Sequence, residues 1–111
     1  MNLIEDFIKS LSNEEVNKSV YNQYKNEIRC NNLRLYLEEI KQINPRYILV
    51  GEAAGFQGCR LSGIPFTSES ILLNGINKLN IFGKDKGYKK TKEQELIQKE
   101  KSATMLWDTL S

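Results

Sequence analysis

Glu52 follows Gly51 directly, at the head of a run in which glycine recurs at 55, 58 and 63. Four of the chain's seven glycines thus fall within thirteen residues. Glycine lets a backbone approach a ligand closely and adopt positive φ. A loop of this kind can aim backbone N–H groups at an oxygen-bearing ligand. The carboxylate of Glu52 is one of the loop's polar members. The other polar members are Gln57, Arg60, Thr67, Ser68 and Glu69. Arg60 reads equally well as a guanidinium bracing the loop. The chain has no histidine, which removes Ser-His triads and most zinc sites. Acid–base work falls to Asp, Glu, Lys, Tyr and the thiols. Cys30 and Cys59 are far apart, form no C-x-x-C pair and read as free thiols. The glycines do not spell G-x-G-x-x-G, and no Gly-Lys-Ser/Thr follows, so dinucleotide and P-loop sites are set aside.

The elements that must position this loop are mostly helical in pattern. Leu3, Ile4, Phe7, Ile8 and Leu11 give residues 2–11 an amphipathic face. Ser12 and Glu15 have capping-box spacing for a second short helix. Residues 22–30 are polar and carry no firm element. Asn31 or Asn32 can cap a helix through Leu33, Tyr36, Leu37 and Ile40, ended by Asn44-Pro45. Residues 46–50 follow, with Tyr47, Ile48, Leu49 and Val50 as a buried strand. Thr67 or Ser68 caps a helix over 69–79. Residues 80–92 form a loop with five lysines, and Ser102 opens a last helix carrying Ala103, Leu106, Trp107 and Leu110 on one face. A lysine loop containing Tyr88 can grip a phosphate backbone or simply be solvated.

At 111 residues with a net charge of +2, the chain reads as one domain or part of one. The charge alone does not argue for nucleic acid. No stretch reads as a membrane span or a signal peptide, which leaves a cytoplasmic location as the expectation. A strand that ends in a glycine-rich loop suggests an open α/β sheet with its ligand at the strand's carboxyl end. One or two strands do not complete such a sheet. The expectation is therefore the incomplete N-terminal portion, residues 1–111, of a three-layer α/β/α sandwich with a parallel sheet.

Gly51-Glu52-Ala53-Ala54-Gly55, then Gly58-Cys59-Arg60, then Gly63-Ile64-Pro65-Phe66-Thr67-Ser68-Glu69 closely resembles the first motif of a bacterial branch of the uracil-DNA glycosylase superfamily. The stretches Asn32 to Leu37 and Ser102 to Trp107 resemble the helices that flank it. The resemblance implies a parallel-sheet fold and hydrolysis of the N-glycosidic bond of uracil flipped out of DNA, the first step of base excision repair. It implies Glu52 as the water-positioning catalytic carboxylate. Gly51, Ala53, Gly55 and Phe66 would bind the substrate base, with Phe66 as the stacking face. Lys84, Lys86, Lys89 and Lys90 are the expected DNA contacts. Uracil-containing DNA is the implied partner, and no cofactor or metal is implied, since iron–sulfur relatives use four cysteines. Ala54 departs from the family's proline, and the family's uracil-reading asparagine and His-Pro motif have no match here. The expected consequence is a truncated domain, inactive alone, whose partner could be its missing C-terminal half. The alternative is a non-catalytic remnant that binds DNA or protein.

Overall fold

Asparagine opens the first two helices of the computed structural model, which describes residues 2–15, 21–51, 54–55 and 57–110. The Asn2 side chain accepts from Ile4 and Glu5 N–H and starts α1, Leu3–Asn13. Asn26 accepts from Arg29 N–H (3.1 Å) and starts α2, Glu27–Ile43. That helix begins earlier than the sequence suggests, because residues 23–25 form a 3-10 turn that feeds it. It ends as expected at Asn44, in the left-handed region, just before Pro45. An ion pair between Arg34 and Glu5 ties α2 to α1. Of the expected second short helix, α1 itself covers Ser12, and residues 16–20 lie outside the described residues.

Three shorter helices follow: α3, Cys59–Ser62; α4, Glu69–Asn74; and α5, Lys101–Leu110. Ser68 caps α4 by accepting from Ile71 N–H, and Gly75 at φ 77° ends it five residues before the expected Leu79 region closes. A tight turn then brings Ile81 back to Ile76 through an isolated antiparallel bridge.

The expected α/β/α sandwich is overturned. The protein is predominantly helical, and among the described residues there is no sheet. Tyr47, Ile48 and Val50 are 88, 84 and 83 % exposed, where the sequence suggests a buried strand. The cause is the absence of ladder partners. No described residue hydrogen-bonds to the backbone of 46–51, and β-forming side chains hold a strand only when a neighbour pairs with it. The core forms elsewhere, from Ile64, Leu72, Ile81, Phe82 and Tyr88, flanked by Leu35, Tyr36 and Trp107. Full burial of Ile64 and Leu72 contributes about 1.5–3 kcal/mol each. Phe82 is its hub: it stacks on Tyr36 (5.5 Å) and meets Tyr88 and Trp107 edge to face (5.5 and 5.4 Å).

The four-residue helix α3 cannot satisfy its own last carbonyls. Residues 23–32 do it instead. Gln23 Nε2 donates to Cys59 O (3.1 Å), Arg29 Nε to Leu61 O (3.2 Å), Asn32 Nδ2 to Ser62 O (2.9 Å) and the Tyr24 hydroxyl to Gly63 O (2.7 Å). Asn32 also donates to Lys89 O and accepts from Lys89 N–H, so it clamps the lysine loop as well. It is a buried strap in mid-helix, not the helix cap its sequence position suggests.

Candidate functional site

The two ends of the glycine-rich stretch meet at one cavity of about 350 Å³, walled by Leu49, Gly51, Gly55, Pro65, Phe66 and Glu100. Gly51 lies against the Phe66 ring, since a β-carbon there would sit 3.4 Å from Phe66 Cζ. Of the expected site residues, Gly51, Gly55 and Phe66 are thus brought together. Glu52 and Ala53 lie outside the described residues.

Phe66 sits at φ 58°, a region that few residues other than glycine adopt. Such backbone persists where neighbours over-determine it, often at ligand clamps. Here the Trp107 indole donates to the Phe66 carbonyl (2.9 Å) and the Thr67 hydroxyl donates to the Pro65 carbonyl (3.0 Å). Behind them the buried Ser62 hydroxyl accepts from Ile64 N–H and donates to the Thr67 carbonyl (3.3 Å). The Gly63-to-Glu69 segment is therefore bolted from both α3 and α5, with the Phe66 ring half-buried at the cavity wall.

Glu100 was not legible as a site residue. It stands in the polar stretch before α5, and no local pattern marks it. Its carboxylate lies over Gly55 and Gly58: a β-carbon at either position would fall 2.9 or 2.1 Å from Glu100 Oε2. The Ser102 hydroxyl donates to Oε1. Nearby, Cys59 keeps a protonated thiol, pushed up mainly by burial and further by Glu100. Burial likewise raises Cys30. Both cysteines are free, and thiols held protonated are poor nucleophiles.

The remaining polar members serve the fold. Arg60 pairs with Glu93, which also takes the buried Arg29. Glu69 is fully buried at the start of α4, where one oxygen accepts from Gln98 N–H (3.0 Å) and anchors the approach to α5. Its other oxygen has no partner among the described residues.

The lysine loop divides. Lys86 donates to Glu39 (2.8 Å) and to the Asn80 carbonyl, and Lys90 to the Thr91 and Gln94 carbonyls (2.8 and 2.6 Å). Lys84 and Lys89 are exposed. Tyr88 is only 1 % exposed and donates to Glu39 (2.5 Å). Its ring belongs to the core, so it offers no face to a nucleobase. Burial and the adjacent Glu39 push its phenol far up.

Among the described residues, no cluster of three or more His, Cys, Asp or Glu side chains could hold a metal ion, and no helix is long and apolar enough to cross a membrane. No family model, no curated protein and no solved structure matches the chain.

Proposed function

We propose that the cavity beside Phe66 is the base-binding side of a uracil-DNA glycosylase-type site. The observation that carries this reading is the packing of Gly51 against the Phe66 ring across a shared cavity. The two motif ends, fifteen positions apart, are where a flipped pyrimidine needs a stacking face and an unobstructed wall. A base on an aromatic ring contributes roughly 1–3 kcal/mol. Glu52, next to Gly51 in sequence, is the carboxylate assigned to the attacking water. The reading rests on the motif and its cavity, not on a sheet. It carries with it uracil-containing DNA as partner, Lys84 and Lys89 as the more available phosphate contacts, and a cytoplasmic location.

The test is equilibrium filter binding of single-stranded oligonucleotides that differ only in one uracil or one thymine. The uracil strand is expected to bind more tightly, and Phe66→Ala to weaken it roughly tenfold and remove the difference. Equal affinity for the two strands would overturn the reading. The 111-residue chain has no histidine and no match to the reading asparagine, so uracil release by it alone is expected to be little or none. Release at the rate of a complete glycosylase, assayed in parallel, would show that those groups are not needed.

The second reading is a non-catalytic module that binds DNA or protein. The exposed apolar run at 47–50 is the observation in its favour. Unchanged binding of both strands by Phe66→Ala would support it.

A further inference from the structure

We infer that Glu100 is a functional carboxylate of this cavity, placed to hold the positive charge that develops on the sugar ring. The inference rests on the base-binding reading of the Phe66 wall and adds a residue that the motif does not contain.

Three observations bear on it. Glu100 lines the same cavity as Gly51 and Phe66, although it is more than thirty residues further along the chain. Its carboxylate lies against the open side of Gly55 and Gly58, where a β-carbon would displace it. Oε1 accepts from the Ser102 hydroxyl, and among the bonds of the described residues none runs to Oε2. A carboxylate with one oxygen fixed and the other unengaged faces the cavity as an oriented negative charge. Among the described residues the ion pairs run Arg29 and Arg60 to Glu93, Arg34 to Glu5 and Lys86 to Glu39, and none of them takes Glu100.

The chemistry that matches is glycosidic cleavage. As the bond from C1′ to the base nitrogen breaks, its electron pair leaves with the uracil and the sugar becomes oxocarbenium-like. The water oxygen then bonds to C1′, and one water proton passes to the departing uracil anion, giving free uracil and an abasic sugar. A fixed negative charge beside the ring favours the charged state over the neutral one. Glu100 does this without itself gaining or losing a proton over the reaction.

The probe is binding, so no turnover is required. Two single-stranded oligonucleotides are compared, one carrying a protonated pyrrolidine nucleotide that mimics the cationic sugar, the other a neutral tetrahydrofuran nucleotide. Wild-type chain is expected to bind the cationic strand about tenfold more tightly at low salt. Glu100→Gln, which keeps the side-chain shape and can still accept from Ser102, is expected to reduce that ratio to near one. Its melting curve should match that of the wild type. The uracil-over-thymine preference should survive Glu100→Gln and be lost in Phe66→Ala, which separates this inference from the reading beneath it. Equal binding of the two strands by the wild type, or a cationic preference that survives in Glu100→Gln, would overturn the role of Glu100 whether or not the uracil preference holds.

Discussion

Arg29→Ala is expected to destabilise the fold by about 2–5 kcal/mol, from the void it leaves and the Leu61 carbonyl it abandons, read as a lowered urea midpoint. That is a large fraction of the roughly 5–15 kcal/mol a domain of this kind has. Arg29 is 1 % exposed. Its Nε donates to Leu61 O (3.2 Å), and its terminal nitrogens reach the Tyr21 hydroxyl and Glu93. Truncation would open the end of α3, strip Glu93 of one of two guanidiniums and leave a void under Gly63. The effect also depends on pH. Arg60, with Arg29 behind it, holds the Glu93 carboxyl below the usual range, against an opposing push from burial. A depressed folded-state value means that the stabilisation is present above the unfolded glutamate value, about 4.3. It is lost as pH falls through the folded-state value. The penalty for Arg29→Ala should therefore be largest near neutrality and shrink in acid. Glu93→Gln should remove this part of the acid sensitivity, and a penalty that grows on acidification would contradict the assignment.

Gly63→Ala is the second large effect, expected at about 2–5 kcal/mol from two separate costs. Gly63 stands at φ 84°, where a β-carbon costs roughly 1–2 kcal/mol. That β-carbon would also lie 2.7 Å from the Arg29 carbonyl oxygen and 3.0 Å from Arg29 Cα. Those atoms belong to a helix backbone and cannot rotate away, so overpacking adds about 1–3 kcal/mol. Gly87→Ala supplies the comparison. It sits at φ 102°, but its nearest obstacle is the side-chain tip of Leu35 at 3.4 Å. Only the conformational cost is expected there, about 1–2 kcal/mol. Denaturant melts of both variants test the difference, and equal losses would mean that the approach of α2 to Gly63 is not the dominant constraint.

The local signals were sound where the chain decides its own conformation. The α1 face, the Ser68 cap, the stop at Asn44-Pro45 and the helix around Ser102 follow from side chains acting within a few residues of themselves. Residues 46–50 failed because strand formation depends on a partner elsewhere, and none of the described residues provides it. Asn32 looked like a cap because capping is the commonest use of asparagine beside a helix. Its actual partners are Ser62 and Lys89, thirty and fifty-seven positions away. The site was half legible. Gly51 and Phe66, which line the cavity, lie in one contiguous motif, whereas Glu100 reaches the cavity through tertiary folding alone. Tyr88 among lysines suggested a nucleic-acid grip, but hydrophobic burial against Phe82 took precedence.

Trp107 is the chain's single tryptophan, and its indole N–H is bound to the carbonyl of the very residue whose ring walls the cavity. Indole emission responds to the hydrogen bonding and polarity around that N–H. A ligand entering the cavity beside Phe66 would change the polarity near that indole, and the emission wavelength would follow. The protein thus carries its own optical reporter at the back of the cavity, so occupancy can be read without a label.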